Sequence, residues 1–127
     1  MASGTQTLKN YINNEYVAAQ GEGTLELQSP VTEEIIAISP ISNEADVNVA
    51  VAAAKEAFKT WRRTTPSERQ ACLLKLADAL EEHGREIAEI QSRETGQLIA
   101  MVESEECGVG ADQLRFFAGA ARVLSGL

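Results

Sequence analysis

Two kinds of pattern divide the chain at Pro40. Before it, short runs of β-forming residues are separated by Asn, Gly, Ser and Pro; after it, apolar positions recur every three or four residues. In LKNYINNEYVAA the β-formers flank Asn13-Asn14, a dipeptide that tolerates the left-handed backbone of a tight turn, so a hairpin is expected. After the loop QGEG, the stretch TLELQSPVTEEIIAIS reads as two extended runs joined by a turn at Ser29-Pro30, because Pro30 confines Ser29 to extended geometry.

Beyond Pro40 the spacing predicts three amphipathic helices. The first starts at Ser42 or Asn43, with Glu44 and Asp46 in its first turn, and lines up Val47, Ala50, Val51, Ala54, Phe58 and Trp61. The second starts at Thr65, with Pro66 in the first helical position and Glu68 placed to close a capping box. Its stripe of Leu73, Leu76, Ala77, Leu80, Ile87 and Ile90 runs to Gly96, a stop signal, with Gly84 as a candidate break. The third carries Leu114, Phe117, Ala121 and Leu124 on one face. The fold class expected is α/β: an N-terminal hairpin and extended strands, then helices.

Composition adds limits. The chain has 127 residues, 44% of them apolar, which suits one globular domain or part of a larger one. A net charge of -8 with no Lys/Arg cluster argues against sequence-independent nucleic-acid binding and against an anionic membrane surface. The one basic pair, Arg62-Arg63, reads as loop solvation or pairing with nearby acids. No run has the length of an export signal or a membrane span, so a cytoplasmic location is expected.

Candidate chemistry is sparse. Cys72 lies on the apolar stripe of the second helix and is expected to be buried as a small hydrophobe. Cys107 follows two glutamates, whose negative field disfavours a thiolate, so neither cysteine is a good nucleophile. His83, the lone histidine, sits on a charged helix side. Gly108 and Gly110 form a G-x-G without a preceding strand or a third glycine, so a phosphate loop is not expected. Glu103, Glu105 and Glu106 precede the last helix, where three readings stay open: a solvated helix start, a cation site, or a pocket for a positively charged ligand. No His or Asp accompanies them at metal spacing.

In order and spacing, YINNEYVAA, SPVTEEIIAISPISNEADVNVAVAAAKEAF and WRRTTPSERQACLLKLADALEEHGREIAEIQSRETGQ resemble the start of the aldehyde dehydrogenase superfamily. RFFAGAAR followed by LSGL resembles the branch acting on 4-aminobutyraldehyde and other aminoaldehydes. The departures are small: NNEY where Gly and Trp are frequent, Ser-Pro for Asn-Pro, and Gln where Lys commonly follows ETG. The resemblance implies that residues 1-127 are the N-terminal part of a Rossmann-like NAD(P)-binding domain, with the catalytic domain, the oligomerisation hairpin and the catalytic Cys, Glu and Asn all beyond Leu127.

It further implies NAD or NADP as cofactor, bound mainly by residues outside this chain, an aldehyde substrate and a homo-oligomer, dimer or tetramer. The reaction implied is thiolate attack on the aldehyde, hydride transfer to the nicotinamide and hydrolysis to the acid, with the 127-residue chain inactive alone. A sodium or potassium ion would be held by the carbonyls of Leu27 and Gln28 and by Glu94 of ETG, as hard oxygen ligands suit such a cation. Glu106, with Glu105 and Val109 as neighbours, matches the acidic position facing the substrate tunnel of aminoaldehyde dehydrogenases. The rival expectation is a small helical interaction or scaffold protein without catalysis, its amphipathic helices serving as partner-binding surfaces.

Overall fold

The computed structural model describes residues 5–123, in two compact units, Met1–Arg63 and Thr64–Leu127. Leu124 of the expected third-helix stripe lies outside the described residues.

The described residues of the first unit form five strands and one helix: β1 (Gln6–Thr7), β2 (Asn10–Ile12), β3 (Glu15–Val17), β4 (Thr24–Gln28), β5 (Ile35–Pro40) and α1 (Glu44–Trp61). β2 and β3 form the expected hairpin, with Tyr11 opposite Tyr16 and their rings 4.9 Å apart. Asn13 and Asn14 close it with φ of 54° and 65°, the left-handed pair that a two-residue hairpin turn requires. A separate sheet has the order β1-β5-β4, in which β4 pairs antiparallel and β1 parallel to β5. β1 was not expected: it is two residues long, and its partner lies some thirty positions away (Gln6 opposite Ala37).

The Ser29-Pro30 turn forms as expected and is more elaborate than a two-residue bend. Ser29 N donates to Glu34 O at 2.9 Å, and the buried Ser29 hydroxyl accepts from Val31 N at 3.3 Å and Thr32 N at 3.4 Å. A bulge between Leu27 and Gln28 leads into it.

Asn43 caps α1, and its side chain and that of Asp46 close a capping box. The expected apolar stripe exists but is not a core: Ala50 is half-buried, whereas Val47, Val51, Phe58 and Trp61 are 44–57% exposed. α1 and β2 are in contact, and Tyr11, Ile12, Val47 and Ala50 are among the residues lining a depression of about 250 Å³.

The second unit is helical, and the second expected helix is divided at its candidate break, Gly84. α2 (Pro66–Glu82) starts at the Thr65 capping box, with Glu68 N donating to Thr65 Oγ1 at 3.3 Å and Thr65 N to Glu68 Oε2 at 2.7 Å. The chain then breaks at His83 (φ -97°, ψ 6°) and restarts as α3 (Gly84–Thr95), which Gly96 ends in the left-handed conformation at φ 78°. At the break Gly84 is buried against Cys107, where a Cβ would lie 3.4 Å from the Cβ of Cys107, an ordinary van der Waals contact.

The last helical run begins earlier than expected. It comprises α4 (Ile99–Met101), a π-helical segment (Val102–Gly108) and α5 (Val109–Ala120). Val102 and Cys107, five residues apart, are both buried. At 3.6 residues per turn they would point about 140° apart, and the wider π turn, with its i→i+5 bonds, brings them to one side.

Ala77 of α2 and Ala111 and Ala118 of α5 are fully buried, so α2 and α5 approach closely through small side chains. Leu73, Leu80, Ile87 and Leu114 are half-buried, while Leu76, Ile90 and Phe117 of the expected stripes are exposed. Across this contact Arg115 makes two 2.7 Å bonds to the Glu81 carboxylate and one of 2.9 Å to Asp78. The guanidinium holds Glu81 below the usual carboxylate range.

Candidate functional site

The three acids that precede the last helix occupy the π-helical segment, and their surroundings separate them. The run starts at Leu98, with Ile99 as its first helical residue, so Glu103, Glu105 and Glu106 lie more than a turn inside it. A helix-start role therefore fails, because the favourable field of free N–H groups is confined to the first turn. All three side chains are exposed, while Val102 and Cys107 turn inward.

Glu103 shares a cation with a second acid. Its Oε2 lies 3.4 Å from Nη1 of Arg85, whose Nε also bonds Glu89 at 2.8 Å, and these two acids raise the pKa of the guanidinium. Glu106 is held differently: its Oε2 accepts a 2.6 Å hydrogen bond from Nε2 of Gln91 on α3, a neutral donor. Among the described residues no cation forms an ion pair with Glu105 or Glu106. Glu106 is thus held by a neutral donor, with no cation paired to it among the described residues. Val109, the third residue expected there, opens α5 and is 44% exposed.

Gln91 was not anticipated from the sequence. Its amide reaches Glu106 across fifteen positions, and nothing local in a polar glutamine on a helix signals that contact. The same Nε2 donates to Gln97 Oε1 at 2.6 Å, and the Thr95 hydroxyl bonds the Gln91 carbonyl at 2.8 Å.

The remaining expected site residues are placed as follows. Leu27 and Gln28 end β4 at the bulge in the first unit, where Gln28 Nε2 donates to Glu33 O at 2.7 Å. Glu94 is exposed in the last turn of α3, in the second unit. Among the described residues no three His, Cys, Asp or Glu side chains gather as a metal site. Cys107 is 4% exposed, its Sγ 3.7 Å from the Gly84 carbonyl, and so is closed to a substrate. Cys72, expected to be buried, is exposed, and the fully buried residue of α2 is Ala77. His83 sits at the α2–α3 break with Nδ1 3.2 Å from Glu86.

Gly108 and Gly110 are helical, with Gly108 at φ -65° and ψ -50°. They form no open turn of backbone N–H groups, so they do not fit a dinucleotide pyrophosphate. No described helix is long and apolar enough to cross a membrane.

The chain as a whole is similar to known proteins. Malonate-semialdehyde dehydrogenase 1 of Geobacillus thermodenitrificans is 39% identical over 126 residues, which cover 99% of this chain and 26% of that protein. Phenylacetaldehyde dehydrogenase of Pseudomonas fluorescens is 38% identical over 91% of this chain and 23% of its own length. The crystal structure of an NAD-dependent aldehyde dehydrogenase from Sinorhizobium meliloti superimposes with a TM-score of 0.87 at 32% identity, over 97% of this chain and 25% of that one. The chain spans about a quarter of the length of the relatives it matches. The family pattern itself matches residues 16–127, and the chain belongs to the aldehyde dehydrogenase family.

Proposed function

We propose that the chain is the N-terminal quarter of an NAD(P)-dependent aldehyde dehydrogenase that oxidises aminoaldehydes, 4-aminobutyraldehyde being the type substrate, and that works as a homo-oligomer. Family membership and the NAD-dependent relative support the reaction class. The nucleophile and the dinucleotide site then belong to residues outside this chain. Its own contribution is the second unit's acidic segment, at the substrate entrance.

The observation that carries the substrate class is the state of Glu106: a carboxylate oriented by a neutral amide, with no cation to cancel it. An aldehyde with a terminal ammonium supplies that cation, and the charge-assisted contact holds one end of the substrate while the carbonyl reaches the nucleophile.

A second reading has its own support, since several relatives are named malonate-semialdehyde dehydrogenases. Such a substrate carries a carboxylate, which the exposed, uncompensated Glu105 and Glu106 would repel. The two readings part on charge. In the whole enzyme, 4-aminobutyraldehyde is expected to give a higher kcat/KM than malonate semialdehyde or pentanal. Glu106→Gln is expected to lower the value for the amino substrate about tenfold and leave pentanal unchanged. Preference for malonate semialdehyde, or an equal loss on all three substrates, would reject the aminoaldehyde reading.

A further inference from the structure

We infer that Gln91 is a positioning residue for substrate selection, fixing the Glu106 carboxylate without cancelling its charge. The inference rests on the aminoaldehyde reading of Glu106 and goes beyond it by assigning a role to a residue on a different helix.

The geometry is specific. Gln91 Nε2 has two hydrogens, and it bonds two acceptors, Glu106 Oε2 and Gln97 Oε1, each at 2.6 Å. If the amide turned over, its oxygen would face both acceptors and both bonds would be lost, so one orientation is strongly preferred. The backbone beneath is also tied, by Thr95 Oγ1 to the Gln91 carbonyl at 2.8 Å and by Gln97 N to Thr95 Oγ1 at 3.3 Å. On the other side, burial of Val102 and Cys107 fixes the face of the π-helical segment that turns inward, and so keeps Glu106 outward. Only Oε2 of Glu106 is engaged; among the described residues no hydrogen bond occupies Oε1, which is left for a donor from the ligand.

The neutrality of the donor matters as much as its position. On the same π-helical segment Glu103 meets Arg85 of α3, and a carboxylate that already shares a guanidinium attracts a second cation less. Gln91 gives Glu106 orientation and leaves its charge in place. An arginine or lysine in its place would give orientation and remove the charge.

That contrast defines the experiment. In the whole enzyme, kcat/KM is measured for 4-aminobutyraldehyde and for pentanal, an uncharged aldehyde of the same heavy-atom count, and the ratio of the two is compared across Gln91→Leu, Gln91→Lys and Glu106→Gln. Gln91→Leu removes the donor, frees the carboxylate to sample other rotamers and is expected to lower the ratio about threefold. Gln91→Lys supplies a competing cation and is expected to lower it about tenfold, close to the Glu106→Gln value. Pentanal kinetics should stay near wild type in all three. The order Lys worse than Leu, for the amino substrate alone, is not produced by a merely structural role.

If Glu106→Gln lowers the ratio and both Gln91 variants keep it, the positioning role is wrong and the Glu106 reading survives. If either Gln91 variant slows both substrates alike, Gln91 serves packing, and the inference is overturned. If Glu106→Gln itself leaves the ratio unchanged, the aminoaldehyde reading fails and this inference with it.

Discussion

The two units reach order by different physical means. Among the described residues of Met1–Arg63 the buried ones are Ala37, Ser29 and Asp46, two of them polar, and each polar group is tied to backbone N–H donors. Among the described residues of Thr64–Leu127 the buried ones are Ala77, Gly84, Ala88, Val102, Cys107, Ala111 and Ala118, small and almost all apolar. The first unit is held at points, by turns and caps whose geometry tolerates few substitutes. The second is held along faces, where small side chains let helices approach and dispersion accumulates over many contacts. Damage should therefore be sharp and local in the first unit and graded in the second.

The sharpest break is expected at Gly21. A Cβ there would stand 2.0 Å from the Ile41 carbonyl oxygen and 3.1 Å from Asn43 N, both main-chain atoms that cannot rotate away. Gly21 N also donates to Asp46 at 3.2 Å, so a displaced loop gives up that bond. Gly21→Ala is expected to destabilise by about 3 kcal/mol or more, at the upper end of overpacking costs. Hydrogen exchange should show the loss in peptides around residues 20–24 and 41–46, with the helices of the second unit protected as in wild type. Unchanged protection in the loop would mean that the close approach is looser than its geometry implies.

Asp46 tests the polar side of the contrast by pH. Its carboxylate accepts from Asn43 N at 2.9 Å, Gln20 N at 2.8 Å and Gly21 N at 3.2 Å. The Asn43 bond is the largest influence, followed by that of Gln20; burial opposes them and Gly21 adds a smaller share, leaving the pKa below its ordinary 3.8. A depressed carboxyl stabilises the fold above its unfolded value, and that contribution fades as pH falls through the lower folded value. Wild type should thus lose first-unit stability below pH about 4, whereas Asp46→Asn should be less stable at neutral pH and flatter on the acid side. The carboxylate of Glu81 in the second unit is also depressed, by Arg115, but that contact is exposed and should weaken with added salt, as the Asp46 bonds should not. A mutant with the wild-type acid slope would show that other groups set it.

This contrast also explains what could be read in advance. The Asn13-Asn14 turn, the caps at Asn43 and Thr65 and the stop at Gly96 are decided within four or five residues, and all four were legible. β1 was not, because two residues carry no periodicity and the pairing partner is remote. Nor was the π-helical segment: its signal is a five-residue interval between Val102 and Cys107, which has meaning only once Gly84 is known to face Cys107. At the candidate site the acids were visible as a cluster, but what distinguishes them is tertiary, Arg85 beside Glu103 and Gln91 beside Glu106. Exposure of Val47, Val51, Phe58 and Trp61 on α1 was equally hidden, since periodicity reports a face and is silent on what covers it.

The smallest effect expected has the opposite sign and probes the graded behaviour of the second unit within one helix. α5 contains Gly110 and Gly119. A Cβ at Gly110 would meet Leu80 Cδ2 at 3.2 Å, so that glycine serves the α2–α5 approach, and alanine there should gain little because Leu80 must give way. At Gly119 a Cβ would meet nothing within 4 Å. Replacing a helical glycine by alanine removes backbone freedom from the unfolded chain, so Gly119→Ala is expected to stabilise by about 0.5 kcal/mol, the low end of the usual range because Gly119 lies in the last turn. Paired thermal melts of the two alanine variants would measure the difference. A loss of stability at Gly119 would mean that a neighbour packs on that face of α5.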